Sequence, residues 1–138
     1  MHERDFELDN FGNKRWHLNG ELHRENGPAI EYTDGTVAWY LNGNRHRRNG
    51  PAVIYPNGNE YWYLNGELHR EDGPAISRKG GIKRWYLNGK LHREDGPAIM
   101  RGGTRYWYLH GKLIATGPKP ENWEELVLLT RVEQVMND

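Results

Sequence analysis

Apolar and polar residues alternate along this chain in a pattern that recurs five times. Each copy begins with a Trp, continues with alternating polar and apolar positions, and reaches a Gly four residues after the Trp. The tryptophans are spaced 23, 23, 23 and 22 residues apart, at Trp16, Trp39, Trp62, Trp85 and Trp107. A fixed period of this length is typical of repeat proteins, in which each unit buries its apolar face against its neighbours.

A second, more polar phrase follows in each copy and contains a Gly-Pro pair. It is LHRENGPAI at 22–30, RHRRNGPAV at 45–53, and LHREDGPAI at both 68–76 and 91–99. The fifth copy is LIATGPK at 113–119, which lacks the His and the Arg of the others. We therefore expect a repeat domain over residues 1–118, with a half repeat at 1–15, full repeats beginning at Trp16, Trp39, Trp62 and Trp85, and a degenerate repeat beginning at Trp107.

The turn residues of each copy predict antiparallel strands. Asn-Gly between apolar residues favours a two-residue type I′ hairpin turn, because both positions need a positive φ. The Gly-Pro pair interrupts the returning strand, since Pro has no N–H to donate to a neighbouring strand. Two strands per copy then give an all-β fold, a single elongated antiparallel meander of 23-residue hairpin repeats.

The C-terminal segment, residues 119–138, has a different period. Its apolar residues fall mostly at helical spacing and predict an amphipathic α-helix over about 122–136. We expect this helix to cap the last repeat; the alternative is a docking or dimerisation helix. The apolar residues concerned are Trp123, Leu126, Val127, Val132, Val135 and Met136.

A 23-residue hairpin repeat with an aromatic residue, then Asn-Gly and a His, and later glycines, resembles the MORN repeat. The nearest form is the divergent bacterial and viral version, sometimes labelled antitoxin-like, and the resemblance covers about residues 5–118. MORN-type proteins serve as scaffolds, lipid-contacting modules and interaction surfaces. The resemblance implies a binding protein, in one version an inhibitor that neutralises a bacterial toxin or a host defence factor by covering its surface.

Composition argues against enzyme chemistry. The chain of 138 residues has no Cys and one Ser, so it has no disulfide, no thiolate zinc site and no nucleophile elbow around that Ser. We expect a non-enzymatic protein without cofactor or metal. A mean hydropathy of −1.00 with 6 Trp and 8 Tyr implies that packed aromatic residues hold the fold together. No apolar run approaches the roughly 18 residues of a membrane span, so we predict a cytoplasmic protein without a transmembrane segment.

Two charged columns recur with the repeat. One contains His23, His46, His69 and His92, for which we expect a structural role, with each ring beside a Trp and bonded to a neighbouring backbone group; metal or ligand binding is the alternative. The other contains Arg24, Arg47, Arg70 and Arg93, for which we expect ladders of Arg and carboxylate between neighbouring repeats. The alternative for the Arg column is a stripe that grips a partner.

Positions that break the repeat are the better candidates for partner binding, because recurring columns report the scaffold. The second repeat contains a run without any acid, Arg45, His46, Arg47 and Arg48. Residues 77–112 hold nine basic and two acidic residues, although the chain as a whole has 19 of each. The candidates in this basic segment are Arg78, Lys79, Lys83, Arg84, Arg101 and Arg105.

These candidates favour a protein partner with an acidic surface. The alternative is a phosphate-bearing ligand, such as a nucleic acid, a nucleotide or an anionic lipid, held by residues 77–112 with stacking on Trp85, Tyr86, Tyr106, Trp107 and Tyr108. Two further interpretations stay open: a solvated face that the acidic C-terminal helix folds back over, and a structural module of a larger assembly. The sequence does not indicate an oligomeric state.

Overall fold

The computed structural model describes residues 5–137, which form short β-strands followed by one helix. The helix, α1, is Trp123–Asn137. The strands are β1 (Phe6–Leu8), β2 (Lys14–Leu18), β3 (Glu21–Leu22), β4 (Ile30–Glu31), β5 (Val37–Ala38), β6 (Tyr40–Leu41), β7 (Asn44–Arg45), β8 (Val53–Ile54), β9 (Glu60–Tyr61), β10 (Tyr63–Leu64), β11 (Glu67–Leu68), β12 (Ile76–Arg78), β13 (Ile82–Arg84), β14 (Tyr86–Leu87), β15 (Lys90–Leu91), β16 (Ile99–Arg101), β17 (Thr104–Leu109) and β18 (Lys112–Thr116).

Most strands belong to one long antiparallel sheet that follows the chain from end to end. Its order is β1-β2-β4-β5-β8-β9-β12-β13-β16-β17-β18, with β3 paired to β2. The remaining strands form three separate hairpins, β6-β7, β10-β11 and β14-β15. The sheet is open rather than closed into a barrel. The predicted all-β meander with a C-terminal helix is confirmed.

The course of each central repeat is more broken than two continuous strands. The chain leaves the main sheet at the Trp and enters a separate Asn-Gly hairpin, so that β5 ends before Trp39 and β6 begins after it. The backbone N–H of Trp39 donates to the carbonyl oxygen of Ala52 at 2.6 Å. The turn has the predicted type I′ signature, since Asn42 and Gly43 have φ values of 51° and 82°.

The two sides of the sheet have different aromatic residues. One side, here called the tyrosine face, buries Ile30, Ala38 and Val53 under Leu22 and four tyrosines, Tyr32, Tyr40, Tyr61 and Tyr63. Trp39 lies between Ala38 and Tyr40 in sequence and therefore points to the opposite side. That side, the tryptophan face, contains the repeated Trp rings.

Backbone hydrogen bonds join each repeat to the next outside the main sheet. The N–H of Gly43 donates to the carbonyl of Leu22 at 2.9 Å, and the N–H of Arg24 donates to the carbonyl of Tyr40 at 3.1 Å. Equivalent bonds recur in every later pair of repeats. The Asn-Gly hairpins are therefore stacked into a second row, beside the main sheet.

The helix closes the C-terminal end, as expected, but only with its first half. Trp123 and Val127 are buried in one cluster with Trp107 and Leu109. By contrast Val132, Val135 and Met136, which the helical period placed on the covering face, are 55%, 75% and 79% exposed. The second half of α1 thus projects past the last repeat.

Candidate functional site

The repeated arginines form structural stacks on the tryptophan face. In each full repeat the guanidinium carbon lies 3.8–3.9 Å from the centre of the Trp ring of the same repeat, pairing Arg24 with Trp16, Arg47 with Trp39, Arg70 with Trp62 and Arg93 with Trp85. Nη1 donates to the carbonyl of the Pro four residues later at 3.1–3.2 Å. The arginines of this column therefore stabilise their own repeats, because their guanidinium groups contact the Trp ring and the Pro carbonyl.

The glycine before that Pro completes each stack. A Cβ added at Gly73 would lie 2.8 Å from Cζ of Arg70, and one at Gly96 would lie 2.6 Å from Cζ of Arg93. Such distances leave no room for a side chain, so the guanidinium lies between a Trp ring and a bare backbone. We call this arrangement the Trp-Arg-Gly stack. It accounts for the recurring Arg and the recurring Gly-Pro pair in physical terms.

The expected ladders of Arg and carboxylate between repeats are wrong. The carboxylate partners lie inside the same repeat, with Arg24–Glu31 at 3.2 Å, Arg70–Asp72 at 3.0 Å and Arg93–Asp95 at 2.9 Å. The stack orients each guanidinium toward its own loop, which brings these carboxylates within reach. Arg47 has no carboxylate within ion-pair distance among residues 5–137.

The histidines join neighbouring repeats, which confirms the predicted bond from each ring to a neighbouring backbone group, whereas the predicted contact with a Trp stays a prediction. In each one, Nδ1 accepts the backbone N–H of the first turn residue of the next repeat: Asn42 to His23, Asn65 to His46, Asn88 to His69 and His110 to His92, at 2.9–3.0 Å. This acceptor role requires an unprotonated Nδ1. Among residues 5–137, no group of three or more His, Cys, Asp or Glu side chains is arranged to hold a metal ion.

Two of these histidines have a lowered pKa. Burial lowers the pKa of His46, with the nearby charge of Arg48 adding to the effect. Burial also lowers the pKa of His92, and His110 contributes, although Glu94 opposes the shift. Both rings are thus held in the neutral form that the hydrogen bond from the next repeat needs.

The run Arg45–Arg48 does not form one patch. Arg45 lies on the tyrosine face, where Nε donates to the Tyr40 hydroxyl at 3.3 Å and Nη1 to the Tyr63 hydroxyl at 3.2 Å. His46 is buried between repeats, and Arg47 belongs to a Trp-Arg-Gly stack on the other face. Only Arg48 is exposed without such a contact.

The basic segment does bring its candidates together. Arg78, Lys79, Lys83 and Arg84 flank the turn at Gly80-Gly81, and Arg101 and Arg105 flank the neighbouring turn at Gly102-Gly103. The strands β13 and β16 are hydrogen-bonded neighbours, so both turns project from the same edge of the sheet. We call these six residues the basic edge.

Strand register divides the basic edge between the two faces. Lys83 and Arg105 both lie opposite Met100, so they share one face. Arg84 lies opposite Ile76 and Ile99 on the other face, which Arg78 and Arg101 share because they stand two residues further along those strands. Positive charge therefore surrounds the projecting turns from both sides.

The cations of the basic edge share the lack of a carboxylate partner among residues 5–137. None of the six has a carboxylate within ion-pair distance among residues 5–137, whereas Arg15, Arg24, Arg70, Arg93, Lys119 and Arg131 all do. The acidic helix does not neutralise this edge: Glu124 pairs with Lys119, and Arg131 of the helix pairs with Glu94. The helix therefore folds back over part of the basic segment, where it packs on Trp107 and Leu109 and bonds Glu94, but among residues 5–137 its ion pairs do not reach the basic edge.

The aromatic residues of this segment are covered. Trp107 is 3% exposed and packs on Trp123, and the ring of Trp85 lies under the guanidinium of Arg93. Tyr86, Tyr106 and Tyr108 are half-buried. Within the basic segment, no Trp or Tyr is fully exposed for stacking with a nucleic-acid base.

Two cavities were not predicted from the sequence. A groove of about 1170 Å³ lies between α1 and the loops of the third and fourth full repeats, with Trp85, Arg93, Trp123 and Leu128 in its lining. A smaller cavity of about 180 Å³ lies on the tyrosine face beside Arg45. The groove depends on where the helix packs, which no repeat pattern indicates; the second cavity had a signal, the replacement of Leu by Arg at position 45.

Comparison with protein families, with curated proteins and with solved structures gave no match for this chain. The resemblance to the MORN repeat therefore stays a prediction. Within residues 5–137, the one helix is too short and too polar to span a bilayer.

Proposed function

We propose that this chain is a non-enzymatic binding protein whose basic edge inserts into an acidic, concave surface of a partner protein. The observation behind this proposal is the set of six cations around two neighbouring glycine turns, none of which has a carboxylate partner among residues 5–137. Most of the other cations within residues 5–137 contact a carboxylate, a Tyr hydroxyl or a Trp ring.

The shape of this edge favours a cleft over a flat surface. The cations lie on both faces of the sheet and at the turn between them, so a flat partner would meet only some of them. Unpaired charge of one sign also accelerates association with a surface of the opposite sign. The family resemblance adds a specific form of the proposal, in which the chain neutralises a bacterial toxin or a host defence factor by occupying such a cleft.

Matched charge reversals test the proposal. Lys83→Glu with Arg105→Glu removes two cations of the basic edge, and Lys90→Glu with Lys112→Glu makes the same charge change at the opposite, hairpin edge. All four residues are exposed, so both double variants should keep the wild-type melting temperature. We expect capture of a stoichiometric protein from host lysate to be lost in the first variant and kept in the second. Equal capture by both, or equal loss, contradicts the proposal.

A phosphate-bearing ligand is the second candidate, and the glycine turns favour it. A Cβ built at Gly80, Gly81, Gly102 or Gly103 meets no atom within 4 Å, so an anion has open access to the backbone between the cations. Capture would then bring down material absorbing at 260 nm, and binding would weaken steeply with salt because phosphate contacts release counterions. Capture of a partner protein that stays bound after nuclease treatment and at moderate salt would exclude this candidate.

A further inference from the structure

Arg45 occupies a position that is Leu in the other full repeats. Leu22, Leu68 and Leu91 are its equivalents, and Leu22 packs against the buried cluster of the tyrosine face. In the second repeat a guanidinium replaces this apolar contact. The change is confined to one repeat, so the repeat architecture itself does not require it.

Two tyrosine hydroxyls accept hydrogen bonds from the exposed Arg45 guanidinium. It donates through Nε to Tyr40 and through Nη1 to Tyr63, and its carbon lies 5.2 Å from the centre of the Tyr63 ring. These bonds use two of the five N–H donors of an arginine. No carboxylate lies within ion-pair distance of Arg45 among residues 5–137. The side chain is therefore positioned but has donors left for an external acceptor.

The cavity of about 180 Å³ beside Arg45 supplies the rest of a binding site. Tyr32, Tyr40 and Tyr55 form its aromatic walls, and Ala38 and Val53, both buried, contribute apolar surface. Asp34 also lines it, and the N–H of Thr36 keeps its pKa below the usual value, so it is ionised at neutral pH. The negative charge of Asp34 repels a phosphate dianion about twice as strongly as a singly charged carboxylate, because the Coulomb energy scales with charge. Of these two anions, the cavity therefore favours the carboxylate.

We propose that this cavity, the Arg45 pocket, binds a carboxylate carried on a short apolar stem. The carboxylate accepts hydrogen bonds from the free N–H groups of Arg45, and the stem lies against Val53 and the tyrosine rings. Arg and Tyr together are also the residue types that dominate binding energy at protein interfaces. A glutamate side chain of a partner protein and a small organic acid share this chemistry. The proposal does not depend on the basic edge.

A titration with model compounds tests the pocket without any partner. The probes are N-acetyl-glutamate amide and its neutral analogue N-acetyl-glutamine amide, observed through the ring signals of ¹³C-labelled tyrosine. We expect saturable shifts at Tyr40 and Tyr63 with the glutamate compound, and binding about tenfold or more weaker with the glutamine compound, since hydrogen bonds to charged groups are the stronger ones. Equal shifts with both probes, or none with either, overturn the proposal.

Two variants separate the guanidinium from the fold. Arg45→Leu restores the residue of the other repeats, so it should fold normally while losing the glutamate shifts. Arg48→Leu makes the same change of charge at an exposed neighbour outside the pocket and should keep them. Shifts that persist in Arg45→Leu, or vanish equally in Arg48→Leu, overturn the assignment.

The same variants distinguish the two sources of the carboxylate. If Arg45→Leu loses both the glutamate shifts and the captured partner protein, the carboxylate belongs to the partner. If it loses the shifts and keeps the partner, the pocket takes a small organic acid. Either result supports the pocket and is independent of the charge reversals at the basic edge.

Discussion

The fourth full repeat and the degenerate fifth repeat each have a Trp at the equivalent position, and the two rings are covered in different ways. In the fourth, the guanidinium of Arg93 lies 3.8 Å above the ring of Trp85. The fifth has lost its Arg, and its Trp107 is covered instead by Trp123 of the helix, with ring centres 5.0 Å apart and planes at 68°. The face of each Trp needs a cover, and a helix from outside the repeat supplies the last one.

The helix is also attached to the fourth repeat. The indole Nε1 of Trp123 donates to the carbonyl oxygen of Glu94 at 2.7 Å, and Arg131 pairs with the Glu94 carboxylate at 2.5 Å. Glu94 thus bonds the helix through both its backbone and its side chain. The cap closes the fifth repeat while being anchored on the fourth, which makes the C-terminal end one packed unit.

Removing the substitute cover should have the largest effect. Trp123→Ala empties a site that is 2% exposed, and truncating a packed aromatic residue costs about 3–5 kcal/mol of unfolding free energy. Urea denaturation followed by Trp fluorescence measures this loss. Leu129→Ala in the same helix is the control, because Leu129 is 58% exposed and should change stability little. Similar losses in the two variants would show that Trp123 does not act as a cap.

Breaking the cover of an inner repeat should cost less. Gly73→Ala places a methyl group against the Arg70 guanidinium, and overpacking of this kind costs about 1–3 kcal/mol. Arg70→Ala alone loses a cation–π contact worth about 0.5–2 kcal/mol.

The double variant reports whether the glycine serves the stack. With Arg70 already truncated, Gly73→Ala has nothing to displace and should be nearly neutral, so the two changes are strongly non-additive. Additive losses in urea denaturation would mean that Gly73 is needed for its backbone and not for the stack.

Acidification should weaken the bonds between repeats. The folded-state pKa values of His46 and His92 lie below the ordinary 6.5, so the unfolded chain binds protons first as the pH falls. The stability that these two histidines contribute is complete above pH 6.5 and is lost as the pH falls toward the lowered values. Each tenfold weakening of proton affinity on folding corresponds to about 1.4 kcal/mol of this stability.

The pH range in which stability is lost distinguishes the histidines from the carboxylates. The perturbed carboxylates, Asp9, Asp34, Glu94 and Glu124, have ordinary pKa values of 3.8 or 4.5 that are lowered further, so their contribution to stability changes mainly below about pH 5.5. Urea midpoints measured between about pH 7.5 and 5.5 therefore report mainly on the imidazoles. His46→Gln should flatten the slope, and an unchanged slope would show that His46 does not couple stability to pH.

Much of this architecture could be predicted because it repeats. The 23-residue period, the Asn-Gly turns and the change to helical spacing near Trp123 specified the fold and its cap. The neighbours of Arg45 could not be predicted, because they depend on the chain leaving the main sheet at the Trp of each central repeat. Arg45 and Arg47 lie on opposite faces although they are two residues apart, because β7 ends at Arg45 and the strand alternation stops there. The attachment of the helix to Glu94 also had no local signal, since it is a contact across 29 residues.

The smallest effect is expected in the second half of α1, which covers no Trp ring. Val132 and Val135 are 55% and 75% exposed, so changing both to Ser should alter the unfolding free energy by less than about 0.5 kcal/mol per site. A larger loss would mean that this half packs on the repeats after all.

Sedimentation equilibrium of the same variant measures whether this half of the helix mediates self-association. If the wild-type chain self-associates and the variant does not, this projecting apolar stripe is a contact between copies; if both behave alike, the helix is a cap and its second half contributes nothing to assembly.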